Sequence, residues 1–452
     1  MKSQRIALIA LAVASTLSSV AHADDSTITL YGVLDAAVGT VQHSFSTNNA
    51  FPATIVATQA NAITPGKNDK SLNGMFNGGI QDSRWGIRGK EDMGDGLSAI
   101  FTLESGIDLP SGQLNNADGI SGLGTNSGSS SSGANSSLSG QLFNRQAWAG
   151  VASKEYGAIT VGRQYEPMYD ILTTYDPVQY AQLFSPLGFS GSLGGGIGVS
   201  EELRMDNSVK YAHKLGDFNF AGMYQFGGIA GHNGAGSAWN LRLGYESGPV
   251  GIQAAYQRLT DALSAANDGY NPAAQTVLTN LTGGTTTLVN APNIKVTNQN
   301  SVGYLIAAKY HLYDGNIKAG VMHYTLGAPS DAFSTLSVTN LYGTPIASAT
   351  NLGTDKTFRI GYIGGDYNLT SKFNLAAGYY AIHQDASPNT VAAGAQKAGD
   401  QRYYSLLADY NLSKRTDAYA GMMYQNLGGD AFPSTTTYQS NRILALGLRH
   451  KF

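Results

Sequence analysis

Cysteine is absent from the 452 residues of this chain. Its absence excludes disulfide bonds, thiolate metal sites and cysteine nucleophiles. Charged side chains are also scarce, at 13%, against the roughly 25% that is usual in soluble domains. Proline, with 13 residues, is too rare for a proline-rich stalk. The formal charge of −3 argues against nucleic-acid binding.

Long apolar runs are lacking as well. No segment after residue 23 has 18 continuous apolar residues, and the mean hydropathy is −0.16, which argues against a bundle of membrane-spanning helices. Glycine, with 56 residues, and tyrosine, with 26, are abundant instead. Low charge together with abundant glycine and tyrosine is typical of a β-structure with one face in lipid and one in water.

The first 23 residues have the pattern of a cleaved secretory signal peptide. Two basic residues precede the apolar core Ile6–Ala14, and Ala21-His22-Ala23 supplies a small-x-small cleavage pattern. An uncleaved anchor is the alternative, but this apolar core is too short to span a membrane. Cleavage takes two of the 28 basic residues and none of the 31 acidic ones, which leaves residues 24–452 with a formal charge of −5.

The rest of the chain alternates between segments of period-two hydrophobicity and aperiodic segments rich in Gly, Ser, Asn and Thr. In Thr27–Gly39, residues such as Ile28 and Leu34 share one parity, and Asp35 lies on the other. Leu97–Asp108 alternates in the same way. Helical spacing fits neither segment, so both are predicted to be strands.

Short and long connections alternate along the chain. The seven short turns, rich in Asp, Gly or Lys, are Asp92–Gly96, Lys154–Gly157, Lys214–Asp217, Ser247–Pro249, Leu312–Gly315, Leu369–Lys372 and Leu412–Arg415. The eight long loops are 40–82, 109–141, 165–206, 227–237, 260–300, 327–355, 385–400 and 426–440. Fifteen connections join sixteen strands, which predicts an all-β fold, a transmembrane antiparallel 16-stranded β-barrel. A soluble β-sandwich would explain the strand pattern but not the regular alternation of loop lengths, and it would expose large apolar side chains.

Aromatic residues recur near the predicted strand ends. Strand propensity alone would explain any one of them. As a set they are expected to form girdles at the level of the lipid headgroups: Tyr31, Trp85, Phe101, Tyr245, Tyr310, Tyr379, Tyr380, Tyr403, Tyr404 and Tyr424.

Several stretches resemble one known family. They are Thr29-Leu30-Tyr31-Gly32-Val33-Leu34-Asp35, residues 83–94 (SRWGIRGKEDMG) and Gly447-Leu448-Arg449-His450-Lys451-Phe452, with further matches at 144–148, 161–164 and 206–211. In this order, and with this rhythm of loops, the chain resembles the general porins of Gram-negative bacteria, especially the trimeric β-proteobacterial type. The resemblance implies a homotrimer in the outer membrane, surrounded by lipid and lipopolysaccharide, whose water-filled barrels pass ions and small hydrophilic solutes.

The last strand carries a further expectation. Leu444, Leu446, Leu448, His450 and Phe452 share one parity. In barrels that resemble this one, a terminal aromatic residue with apolar residues at alternate positions is the signal for the barrel-assembly machinery, so Phe452 is the expected assembly signal. Pairing of this strand with the first would also remove a free sheet edge.

The resemblance further implies that the loop at about 165–206 is an inward-folded constriction loop. Its expected acids are Glu166, Asp170 and Asp176. The expected basic residues of the facing wall are Arg84 and Arg145, matched by their Arg-x-Gly-x-x-Gly and Arg-x-Ala-aromatic contexts, followed by Arg163 and Arg204. The Pro-Glu-Phe-Gly-Gly loop tip of similar porins is replaced here by Phe184–Gly196.

Parity bears on the arginines, because an arginine in the lipid band costs roughly 2–4 kcal/mol and mid-strand arginines should face the lumen. Arg84 lies on the face opposite Trp85. Arg163 shares parity with Val161, so its side chain needs a bulge or a position above the membrane to reach water. A solvated strand-end arginine is the plainer interpretation of each. Acids facing arginines would produce a transverse field that orients dipolar solutes and separates anion and cation paths.

The sequence contains no His-Glu-x-x-His, no phosphate-binding Gly-x-x-x-x-Gly-Lys-[Ser/Thr] and no histidine spacing typical of metal ligands. We therefore expect no enzyme activity, cofactor or metal; a barrel lipase has no local support. Two alternatives stay open, a substrate-specific channel of the same architecture and a barrel adhesin or receptor that uses its long loops. Ion preference also stays open, because the charge of −5 favours cations and the arginines favour anions.

Overall fold

The computed structural model describes residues 26–44, 70–114, 142–188, 204–228, 234, 236–264, 276–278, 287–289, 297–327, 355–386, 397–430 and 439–452. The expected signal peptide, residues 1–23, lies outside the described residues. So do residues 189–203 of the expected constriction loop, which include most of the stretch Phe184–Gly196. In the described part of the chain, no helix has the length and apolar character needed to cross a membrane.

Strands dominate the described residues, and one helix interrupts them. In chain order the strands are β1 Thr27–Ser44, β2 Lys70–Asn77, β3 Arg84–Gly94, β4 Leu97–Asp108, β5 Gln113–Leu114, β6 Gln146–Ser153, β7 Gly157–Tyr165, β8 Arg204–Leu215, β9 Phe218–Gln225, β10 Ala238–Ser247, β11 Val250–Ser264, β12 Thr276–Leu278, β13 Thr287–Val289, β14 Thr297–Leu312, β15 Gly315–Gly327, β16 Lys356–Thr370, β17 Phe373–Gln384, β18 Gly399–Asn411, β19 Thr416–Gly428 and β20 Ser440–Lys451. The helix α1, Pro167–Tyr175, lies between β7 and β8.

These strands form a closed antiparallel barrel of sixteen spans. β2 and β3 are successive parts of the second span, because they pair with the two halves of β1. β5 is a two-residue extension beside β4, and β12 and β13 form a separate hairpin. β1 pairs on its other side with β20, from Val33 opposite Lys451 to Ser44 opposite Ser440. This pairing closes the sheet and confirms the predicted barrel.

The seven predicted short turns are all present, at 95–96, 154–156, 216–217, 248–249, 313–314, 371–372 and 412–415. The first long loop is shorter than predicted. β1 continues to Ser44, and β2 begins at Lys70 inside the predicted loop 40–82. The end of β1 is extended by pairing with β20, and β2 forms by pairing with β1. Because these partners are not adjacent in sequence, the local pattern did not reveal the extra strand residues.

The two faces of the wall differ as the alternation predicts. Leu444, Leu446 and Leu448 are exposed on the outer face of β20, whereas Ile443 and Ala445 between them are buried inside. The girdle prediction is wrong for Tyr31, Tyr380 and Tyr403. Tyr380 and Tyr403 are buried, and the Tyr31 hydroxyl donates to the buried Glu104, so all three side chains point inward. In the adjacent pairs 379–380 and 403–404 only one side chain can face outward, because successive strand residues point to opposite faces.

Helix α1 and the segment that follows it lie inside the barrel. Their buried apolar side chains, among them Leu172 and Phe184, form one core with inward-facing residues of the wall such as Met423. A side chain at Gly421 would place its Cβ 2.9 Å from the Phe184 ring, so glycine is what lets the segment lie close to β19. The core therefore fills one side of the interior, and the polar face of α1 points toward β7, β8 and β10.

Candidate functional site

The sequence at the end of β7 determines where α1 begins. The Glu166 carboxylate accepts the N–H of Met168 at 2.6 Å, which caps the first turn. Pro167 occupies the first helical position, where the missing N–H costs nothing. The helix ends at Asp176, whose N–H donates to the Leu172 carbonyl at 3.1 Å.

Glu166 and Asp176 do not reach the lumen, which differs from the expectation for these two acids. Both are fully buried. Asp176 accepts the N–H groups of Val178 at 2.8 Å and Tyr180 at 3.0 Å, and the hydroxyl groups of Ser185 at 2.6 Å and Tyr380 at 3.1 Å. Burial raises the pKa of both carboxyl groups, and at Asp176 these donors oppose the rise. The two carboxyl groups cap the helix and the turn after it.

Of the three expected acids, Asp170 is the one that remains half-exposed. It lies on the polar face of α1, 2.8 Å from Arg242 Nη1 on β10 and 3.6 Å from Lys210 Nζ on β8. Sequence reasoning missed both bases. Parity could have found Arg242, because its neighbours Leu241 and Leu243 are exposed on the outer face and Arg242 must then point inward.

A second group of wall residues holds the far end of the helix. The Tyr175 hydroxyl donates to Glu246 at 2.8 Å, and Lys309 lies 5.0 Å from the centre of the Tyr175 ring. Lys318 donates to the Asp176 carbonyl at 3.2 Å and pairs with Asp366 at 3.1 Å. None of these wall residues is among the predicted site residues.

Arg145 is buried among its own acids on the wall. Its guanidinium lies 2.9 Å from Glu104 and 3.0 Å from Asp82, and it donates to the Tyr165 hydroxyl at 2.6 Å. Arg84, with its side chain 20% exposed, shares Glu104 at 3.5 Å. The positive charge of Arg145 is therefore largely compensated where it lies.

Arg204 has a different environment. Its guanidinium lies 4.9 Å from the centre of the Tyr165 ring and donates to the Tyr165 hydroxyl at 3.3 Å. Tyr169 of α1 stacks on the same ring at 4.1 Å. Within the described ranges, no acidic group lies within salt-bridge distance of Arg204, which is half-buried.

The bulge that Arg163 requires is present. The register between β7 and β8 shifts between Gly162 and Gln164, and Gly162 has a φ of +125°, which favours glycine. The shift turns Arg163 inward, where it pairs with Asp206 and donates to the Asn144 carbonyl at 2.8 Å. Arg163 is thus in an ion pair with Asp206, and it is not one of the arginines that contact Tyr165.

The arrangement brings charged side chains of both signs together on the inner face of the barrel. Arg84, Arg145 and Arg204 meet around Glu104 and Tyr165, and Asp170 meets Arg242 and Lys210. Among the residues that the structure describes, no group of three or more His, Asp or Glu side chains is placed to hold a metal ion.

A closed 16-stranded barrel with an apolar outer face and charged interior side chains defines an outer-membrane β-barrel. Residues 7–387 match the family described as Gram-negative porin, and the chain belongs to that family. An outer membrane porin protein of Bordetella pertussis is 30% identical over 275 residues, 58% of this chain and 60% of the relative. Outer membrane porin protein 32 of Delftia acidovorans is 26% identical over 220 residues, 48% of this chain and 49% of the relative. The matches thus span between about half and three fifths of the relatives' lengths.

Solved structures show the same fold. The anion-selective porin from Comamonas acidovorans is similar with a TM-score of 0.59 at 17% identity, covering 95% of this chain and 100% of that one. The trimer form of OmpT of Vibrio cholerae is similar with a TM-score of 0.53 at 17% identity, over 95% of this chain and 100% of that one. At these identities the similarity concerns the fold.

Proposed function

We propose that the protein is a porin whose water-filled lumen lets ions and small hydrophilic solutes diffuse passively across the outer membrane. The observation that carries this proposal is a group of charged side chains, some buried and some half-exposed, on the inner face of a closed barrel beside a helix folded inward. An apolar outer face and a charged inner face are stable when lipid surrounds the barrel and water fills it, and not when water surrounds the barrel.

The constriction of this channel lies, in this proposal, between α1 and the wall. Arg84, Arg145, Arg163 and Arg204 belong to its basic side, and Asp170 is the acid of the loop side. Glu166 and Asp176 support the loop from within, since their carboxyl groups are buried. The constriction loop is proposed to span about 165–206, within a mature domain of residues 24–452 that follows a cleaved signal peptide.

We propose that the constriction favours anions. Two groups of described charges lie on the polar side of the helix: the cations Arg84, Arg145, Arg204, Lys210 and Arg242, and the carboxylates Asp82, Glu104 and Asp170. The cations are in excess, and Arg204 lacks an acid at salt-bridge distance among the described residues. The neighbour in Comamonas acidovorans is itself described as anion-selective, which agrees with this direction.

The assembly belongs to the same proposal. We propose a homotrimer, the state in which OmpT of Vibrio cholerae has been solved, surrounded by outer-membrane lipid and lipopolysaccharide. The barrel-assembly machinery would insert it, with Phe452 as the assembly signal. In this proposal the protein performs no enzymatic reaction.

Planar bilayers test the function directly. Purified protein should produce stepwise conductance increases, and the reversal potential in a KCl gradient should indicate that chloride is favoured. A low conductance that one solute blocks would favour a substrate-specific channel. Little or no conductance, together with binding to a partner that is lost when the long loops are trimmed, would instead favour an adhesin or receptor and overturn the proposal.

A further inference from the structure

The second barrel span contains an inward turn. β1 pairs with β2 up to Ala36 opposite Asn77 and resumes with β3 at Val33 opposite Arg84. Residues 78–83 therefore leave the ladder opposite only two residues of β1, and we call them the inward turn. Such an interruption of a ladder exposes backbone donors and acceptors that must find other partners.

Asp35 of β1 supplies those partners. Its side chain is fully buried. One carboxylate oxygen accepts the N–H of Gly79 at 3.1 Å, and the other accepts the N–H groups of Ile80 at 3.0 Å and Gln81 at 2.7 Å. The backbone carbonyl of Asp35 also accepts the Gly78 N–H at 2.9 Å and the Ser83 hydroxyl at 2.9 Å. One residue thus binds both ends and the middle of the inward turn.

Tyr419 of β19 completes this arrangement from the other side. Its hydroxyl donates to Asp35 and accepts the N–H of Gly79 at 3.1 Å. The fit is close, because a Cβ at Gly79 would lie 2.1 Å from the Tyr419 hydroxyl oxygen and a Cβ at Gly447 would lie 2.3 Å from it. Only glycine fits at either position while Tyr419 holds this place.

The inward turn in its turn binds the segment after α1. The Gly79 carbonyl accepts the N–H of Leu183 at 3.0 Å, and the Ile80 carbonyl accepts the N–H of Gln182 at 3.2 Å. Phe184 packs edge-on against Tyr419, with ring centres 6.2 Å apart. Asp170, Tyr175 and Asp176 hold the start of the interior segment to the wall, and these bonds hold its later residues 182–184 to the inward turn and β19.

We infer that Asp35 is a positioning residue for the channel: through the inward turn it fixes residues 181–184 and so sets the bore beside α1. The inference rests on the proposed channel function. Without the Asp35 hydrogen bonds, the carbonyl groups of Gly79 and Ile80 are no longer held in position. Residues 181–184, which bind to them, can then move into the lumen. The charges of Arg204 and Asp170 stay where they are.

Asp35→Asn keeps the shape of the side chain but replaces one acceptor oxygen with an NH₂ group. Whichever way the amide points, that group meets N–H donors that need an acceptor. Tyr419→Phe removes one hydroxyl and keeps the ring, so it tests the same contact if the Asp35 variant does not assemble. In planar bilayers both variants should show a severalfold higher frequency of closures and closure at lower voltage, with the reversal potential of the wild type.

Asp417→Asn is the matched control. Asp417 is buried on the same strand two residues from Tyr419, but it pairs with Arg449 at 3.1 Å and not with the inward turn. Its loss should lower the temperature at which the barrel unfolds without changing closure. Closure like that of the wild type in both test variants would overturn the inference, as would equal closure in the control. A wild-type protein that forms no channel would instead contradict the proposed function.

Discussion

Arg204→Gln should reduce anion preference at little cost to folding. Among the described residues Arg204 has the Tyr165 ring and hydroxyl as its partners and no acid within salt-bridge distance. Its removal therefore leaves no buried carboxylate unpaired. Gln keeps a polar but shorter and uncharged side chain, so the main effect of the change is the loss of one positive charge from the edge of the proposed constriction.

The size of the effect follows from Coulomb's law. The electrostatic energy between the guanidinium and a monovalent ion about 5 Å away in water is about 0.8 kcal/mol, favourable for an anion and unfavourable for a cation. Salt at 0.1 M reduces this energy to about 0.5 kcal/mol. That energy changes the local concentration of a monovalent ion about twofold. Loss of the charge lowers the local concentration of chloride and raises that of potassium by the same factor. The chloride-to-potassium permeability ratio should therefore fall about fourfold. In 1 M salt the Debye length is about 3 Å, and the change should be less than about twofold.

Arg145→Gln is the contrasting variant. The Arg145 side chain is 6% exposed and that of Glu104 is 4% exposed, 2.9 Å away. Removing one partner of a buried pair costs up to about 3–5 kcal/mol when the remaining charge has no other partner. The cost here is smaller, because Glu104 keeps Arg84 at 3.5 Å and the Tyr31 hydroxyl at 3.0 Å. We expect a clearly lower unfolding temperature for Arg145→Gln than for Arg204→Gln.

The two measurements are the reversal potential in KCl gradients at low and high salt, and the loss of the heat-resistant folded form on gels. Arg204→Gln should change the first and leave the second close to the wild type. If its reversal potential equals that of the wild type at 0.1 M salt while the barrels stay intact, Arg204 does not act on passing ions and the reasoning fails.

Two further predictions concern assembly and topology. Deletion of Phe452, whose N–H and carbonyl exchange hydrogen bonds with Gly32 at 3.1 Å each, should lower the yield of assembled barrel in the outer membrane; normal yield would contradict its role as the assembly signal. Outer-membrane barrels place their long loops outside and their short turns in the periplasm. A tag within residues 121–140 should therefore be accessible on intact cells, whereas a tag at the turn 95–96 should be accessible only after the outer membrane is opened; the reverse pattern would contradict this orientation.

The sequence was sufficient for the barrel because the signals for it are local. Alternation over a dozen residues identifies a strand, and turn residues such as those at 214–217 identify where two strands reverse. Sixteen spans then follow from the order of short and long connections. The division of the second span into two strands around an inward turn had no such signal, since Asp35, Gly79 and Tyr419 meet only in the closed barrel.

The individual roles of the acids could not be predicted for the same reason. Asp170 and Asp176 both lie in a loop that resembles a constriction loop, yet one is half-exposed and the other fully buried. Asp176 accepts hydrogen bonds from nearby Val178, Tyr180 and Ser185, and also from Tyr380, 204 residues away. The turn that brings the nearby donors round and the position of Tyr380 both depend on the fold, so the residue types beside Asp176 do not reveal its role.

The arginines also differ in the partners that the fold gives them. A guanidinium 2.9 Å from a buried carboxylate acts on a distant ion mainly as a dipole, and the field of a dipole falls off faster than that of a single charge. We therefore expect Arg145 to contribute more to holding the start of β6 against β4 than to selecting ions. Arg204 rests on an aromatic face, which attracts a cation without neutralising it. Its full charge remains available to an ion in the lumen, so selectivity should depend more on Arg204 than on the arginines that carry the stronger family motifs.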